Sequence, residues 1–186
     1  MNIIKAQTEF VEGYVKLLDF EYYEIVNDST KHLPDGKYYT IQYDNEGKIL
    51  SLETISYKKG KKSGESLRFS QGLGSFFLSQ NIGFKNGLMD GYYMNTDNHT
   101  FSKEGYYEKG KKNGIWKENE SSEFKIVSYK NGIKSGSFKS TDNDLNIEVS
   151  GQYKKGKKNG IWITKYTDTD MIIKEEYKNG ELISEK

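Results

Sequence analysis

Two histidines, His32 and His99, are the side chains of this 186-residue chain whose ordinary pKa best suits proton transfer near neutral pH. Both stand beside turn-forming residues, and neither has a second His or a Cys at a metal-ligand spacing. Each therefore reads as a surface turn residue. Neighbouring carboxylates such as Glu175 and Glu176 fall on opposite faces of a strand, so they cannot share a proton or a substrate. The chain has no Cys, which excludes disulfides and thiolate metal sites. Its 19 glycines recur with hairpin spacing and do not lead from a strand into a helix, as a phosphate-binding loop would. The sequence thus predicts no catalytic residue, no metal site and no cofactor, and a protein that is not an enzyme.

Lysine offers a second chemistry. The runs YKKGKKSG, YEKGKKNG and YKKGKKNG, which begin at Tyr57, Tyr107 and Tyr153, could hold phosphates or an acidic partner along one edge. Lysines at such places also solubilise turns and keep sheet edges from sticking. The 28 Lys and Arg against 27 Asp and Glu leave a net charge of +1, which argues against strong nonspecific attraction to nucleic acid or anionic membrane. Residues 1–33 hold six acids and three Lys, so the remainder is mildly basic. The opening MNIIKAQTEF lacks the basic and apolar regions of a secretory signal, and no stretch approaches a membrane span. A cytoplasmic location is the expectation.

The elements that would carry these residues follow from a repeat. The pattern aromatic-x-x-Gly-x-x-x-Gly-x-aromatic fits Phe84–Tyr93, Tyr107–Trp116, Tyr129–Phe138 and Tyr153–Trp162, and Tyr57 opens a copy with Ser66 in the last place. Tyr177 opens another, with Ser184 at the second glycine position, and Gly36-Lys37-Tyr38 is a half copy. The second glycines, at 36, 64, 91, 114, 136 and 160, are 28, 27, 23, 22 and 24 residues apart. Segments rich in Tyr, Ile, Val, Phe and Thr lie between them, and Asn-Gly at 86, 113, 131, 159 and 179 favours tight reversals. A helix would lose about 1 kcal/mol at each interior glycine. The expected fold is all-β: an elongated, single-layer, twisted antiparallel sheet of tandem β-hairpins, ~60 to 70 Å long. Residues 1–33 are expected to cap it, as a degenerate hairpin around Gly13 or a short helix, and 34–186 to form the array.

The pattern resembles the MORN repeat and, more closely, its bacterial variant, in which Tyr-x-x-Gly-Lys-x-x-Gly-x-Trp units follow one another. Soluble bacterial proteins of that variant resemble the YwqK-type antitoxins, which accompany polymorphic toxins. Other MORN arrays are scaffolds or have been linked to phosphoinositides. The resemblance implies a protein that binds a toxin, with a scaffold or adaptor touching anionic lipid as the alternative. The insertion SQGLGSFF before Phe84 and the missing aromatic after Gly64 depart from the pattern.

Alternation along strands divides the side chains between two faces. The motif aromatics fall on one, as a ladder. The other carries a second apolar stripe of Tyr39, Ile41, Tyr43, Leu50, Leu52, Tyr92, Met94, Tyr106, Ile161 and Ile163. Within it Tyr92, Met94 and Tyr106, flanked by Asp90 and Glu104, form the candidate partner site, whose acids would suit a basic toxin surface.

Overall fold

The structure, a computed structural model, describes residues 2–11, 14–24, 35–72, 75–97, 100–169 and 171–186. Gly13, His32 and His99 lie outside these residues, as does the side chain of Tyr43. The described residues are strands and turns without a helix, so none contributes a helix long and apolar enough to cross a membrane. The all-β antiparallel hairpin architecture read from the sequence is the one observed.

The chain divides into two compact units, Met1–Gly91 and Tyr92–Lys186. The first contains β1 (Asn2–Val11), β2 (Tyr14–Glu24), β3 (Gly36–Tyr43), β4 (Ile49–Lys58), β5 (Lys61–Lys62), β6 (Gly64–Gln71) and β7 (Phe76–Lys85). Strand β8 (Leu88–Asp97) runs across the boundary. The second contains β9 (Thr100–Glu108), β10 (Lys111–Glu120), β11 (Glu123–Lys130), β12 (Ile133–Asp142), β13 (Ile147–Lys154), β14 (Lys157–Lys158), β15 (Gly160–Tyr166), β16 (Ile172–Lys178) and β17 (Glu181–Glu185). Pairing is antiparallel and sequential from β3 to β7 and from β9 to β17. The N-terminal hairpin departs from this order, because β1 lies between β2 and β3. The SQGLGSFF insertion lengthens the β6–β7 hairpin, whose register slips between Arg68 and Phe69.

The two motif glycines have different tasks. At the first, Lys109 and Gly110 both take positive φ, 50° and 78°, and make a two-residue reversal whose twist suits the flanking strands. The same pair of angles recurs at Lys59-Gly60, Asn86-Gly87, Asn131-Gly132, Lys155-Gly156 and Asn179-Gly180. At the second, Gly114 has φ 75° while Asn113 does not turn left-handed, and the register shifts between Asn113 and Lys117. This is a bulge in a continuing strand. Asn113-Gly114 and Asn159-Gly160 are therefore not the reversals that their dipeptide predicts. Lysine supplies the left-handed residue in three turns instead. Successive turns also bond to one another: the amides of Gly132, Gly156 and Gly180 donate to the carbonyls of Lys112, Lys134 and Lys158 at 2.8 to 2.9 Å.

Candidate interaction surface

The aromatic ladder forms as read, within each unit. In the second, Trp116 meets Tyr93, Tyr107 and Tyr129 at centroid distances of 5.4, 4.9 and 6.4 Å. Trp162 meets Phe138, Tyr153 and Tyr177 at 5.2, 5.0 and 6.4 Å. Val127 bridges the two groups, opposite Trp116 on one side and Phe138 on the other. In the first unit Tyr38 and Ile55 are buried with Tyr57 and Phe84 packed against them.

Trp116, Trp162, Phe138 and the Ser66 position each have a neighbour matched to their size. A methyl group on Gly105 would fall 2.4 Å from Cδ2 of Trp116, and one on Gly151 would fall 2.3 Å from Cδ2 of Trp162. Each indole N–H donates across the covered glycine, Trp116 to the carbonyl of Tyr106 at 3.1 Å and Trp162 to that of Gln152 at 3.2 Å. The smaller Phe138 faces Val127. Ser66, one step beyond the Thr54–Leu67 pair, faces Ile55. The aromatic missing after Gly64 is thus replaced from across the strand pair, and Ile55 and Ser66 are both buried.

In four of the turns the lysine two residues after the first glycine lies on the ladder. The Nζ atom of Lys112 sits 4.1 Å from the ring centre of Trp116 and 5.0 Å from that of Tyr129. Lys158 sits 4.5 Å from both Trp162 and Tyr177, Lys134 lies over Tyr153, and Lys62 lies over Phe84. Carboxylates hold two of these ammonium groups: Glu118 is 2.5 Å from Lys112 and Glu175 is 3.9 Å from Lys158. Three of the eleven lysines in the runs read as a phosphate-gripping edge, Lys62, Lys112 and Lys158, are therefore cation–π caps.

The opposite face places the sequence-predicted stripe unevenly. In the first unit Tyr39 is only 1% exposed, with Ile41 and Leu52 packed against it, so this part of the stripe is core. Asp90 belongs to the first unit and is half-buried. In the second unit Met94 is turned in, at 7% exposure, whereas Tyr106 is 58% exposed. Tyr92 and Tyr106 pack ring on ring at 5.5 Å. The Tyr92 hydroxyl donates to Glu104 Oε2 at 3.1 Å, and Lys117 Nζ lies 2.6 Å from Glu104 Oε1. Desolvation first, then the bond to Glu104, push the Tyr92 hydroxyl up to about 12. The ammonium of Lys117 chiefly holds the Glu104 carboxyl below its ordinary value. Glu104 is accordingly the clamp of the tyrosine pair and is already neutralised.

Two contributors were not singled out from the sequence. Lys117 reaches Glu104 only through the shifted register that follows the Asn113–Lys117 bulge. Ile115, on the strand beside Tyr106, is 60% exposed and extends the pair into a patch. The alternation in Gly-Ile-Trp, which turns Trp116 inward and Ile115 outward, was the available signal for the latter. Among the described residues no group of His, Asp and Glu could hold a metal ion. No protein-family model matches the chain, and a search of curated proteins returns no significant match.

Proposed function

We propose that this chain is a non-enzymatic, protein-binding repeat protein, and that it acts in the cytoplasm as an antitoxin or immunity-type inhibitor that neutralises a toxin by direct binding. The observation that supports protein binding is the Tyr92–Tyr106 pair. Its rings pack at a tilt with centroids 5.5 Å apart, the Tyr92 hydroxyl is held by Glu104, and Tyr106 still offers more than half of its surface. Large aromatic groups held rigid before contact lose little entropy on binding, and such groups dominate interface energetics. The toxin as partner class is supported by the resemblance of the Tyr-x-x-Gly-x-x-x-Gly-x-Trp units to the bacterial MORN variant. The scaffold reading through lysine-rich turns has less to draw on, because Lys62, Lys112, Lys134 and Lys158 already lie over rings.

The test is Tyr92→Ala combined with Tyr106→Ala, in cells that express the cognate toxin. Neither side chain belongs to the ladder, so a folded variant, its melting lowered only by the loss of the tyrosine pair and its Glu104 clamp, with lost protection is the expected result. A folded, fully protective double variant would place the binding surface elsewhere. An unfolded one would make the pair part of the core.

A further inference from the structure

The two faces of the second unit use their lysines differently. On the ladder face Lys103, Lys112, Lys125 and Lys158 lie 2.8, 2.5, 2.5 and 3.9 Å from the carboxylates of Glu120, Glu118, Glu123 and Glu175. On the other face the strand register aligns Lys117, Ile126, Lys139, Ser150, Ile163 and Lys174, one residue per strand from β10 to β16 with β14 passed over. Lys117 has Glu104. Lys139 and Lys174 are exposed, and neither has an ion pair among the described residues. Their neighbours in this row are Ile126, Ser150 and Ile163, none of them acidic. The acids of this face between β11 and β16, Glu148 and Glu176, stand in the adjoining rows, where Glu148 is opposite Lys165 and Glu176 is opposite Ile161.

Strands ~4.8 Å apart set Lys139 and Lys174 about 14 Å from each other on a rigid sheet. Ile161, beside them, is 52% exposed. Ammonium groups without an ion pair, beside the exposed Ile161 and the half-buried Ile126 and Ile163, match a surface that brings carboxylates and apolar side chains together. A polyphosphate would meet Ile126, Ser150 and Ile163 on three of the row's six strands where it needs cations, and the chain's net charge of +1 gives it no general attraction.

We propose that the face of the second unit opposite the ladder docks an acidic, partly apolar surface of a partner protein, with Lys139 and Lys174 meeting its carboxylates around Ile126, Ile161 and Ile163. This rests on the reading of the chain as a protein-binding module, and it reverses the partner charge expected from Asp90 and Glu104. The occupied state of Glu104 supports the reversal.

The experiment titrates the 15N-labelled full chain with a peptide repeating Glu-Leu-Gly, a matching peptide repeating Lys-Leu-Gly, and an oligothymidylate. The acidic peptide is expected to shift the amides of Ile126, Lys139, Ile161, Ile163 and Lys174, with an affinity that falls as salt is raised. Lys139→Glu with Lys174→Glu is expected to weaken it by about tenfold or more without changing thermal melting. Binding of the basic peptide alone at these amides would overturn the acidic partner while leaving protein binding in place. Binding of neither peptide would count against both. Tighter binding of the oligothymidylate on the same amides would replace the proposal with a polyanion site.

Discussion

The indole of Trp116 covers Gly105 so closely that a single added methyl group would fall 2.4 Å from its Cδ2 atom, and the same indole donates its N–H to the carbonyl of the next residue, Tyr106. Trp162 repeats the arrangement on Gly151 and Gln152. Ring and glycine are thus one packing unit, in which the absent side chain is as necessary as the large one.

Gly105→Ala and Gly151→Ala are expected to destabilise the protein by ~1–3 kcal/mol each, the usual cost of forcing a packed core apart. Chemical denaturation would measure the loss. An accompanying change in tryptophan emission would place it at the indole. Wild-type stability in both variants would show that the rings move aside freely.

The paired sizes can be exchanged. Phe138→Trp alone should crowd Val127, and Val127→Gly alone should leave a hollow, whereas the two together rebuild the arrangement at Gly151 and Trp162. A favourable coupling of roughly 1 kcal/mol is expected in the double-mutant cycle, typical for side chains in contact. Strict additivity would remove the argument.

Lys109 and Lys155 hold left-handed backbone at φ 50° and 52°, a region costly for most L-residues and easier for Asn. Lys109→Asn or Lys155→Asn should therefore raise stability, by less than ~1 kcal/mol. A rise in melting temperature is the observable. An unchanged or lower one would show that the lysine stems contribute more than the turn strain removes.

The clamp on the tyrosine pair should be visible in pH dependence. The Tyr92 hydroxyl titrates at about 12 in the folded chain against an ordinary 10.0, so its contribution is complete below 10.0 and is lost as pH rises through about 12. The Glu104 carboxyl is shifted the other way, so its contribution is present above the ordinary carboxylate range and disappears as pH falls through its lowered value. The stability gap between wild type and Tyr92→Phe should then narrow in alkali, and that between wild type and Glu104→Gln should narrow in acid. Gaps that stay constant with pH would mean that neither group titrates as the geometry implies.

Much of the architecture is legible in the sequence because local signals carry it. The glycine spacing, the strand-forming segments and the alternation that gathers Trp116, Phe138 and Trp162 on one face need no knowledge of distant contacts. The rest depends on register. Gly110 and Gly114 look alike in sequence, yet one turns the chain and the other bulges it, because they differ in the φ of the residue before them. Which lysine of a Gly-Lys-Lys run lies over a ring, and that Glu104 meets Lys117, follow from cross-strand pairs that the bulge displaces. Met94 shares its parity with Tyr92, and alternation alone gives no reason for one to be buried while the other carries the exposed partner Tyr106.

Tandem hairpins with turns as alike as YEKGKKNG and YKKGKKNG face a particular hazard during assembly, since one strand can join the wrong copy of its neighbour. The matched volumes oppose this. A hairpin displaced by one unit would press Trp162 toward a valine in the place of Val127 and leave the groove above Gly151 to a side chain too small for it. Adjacent repeats therefore carry different addresses, written in bulk, and the ladder proofreads against a slip of one unit as it forms.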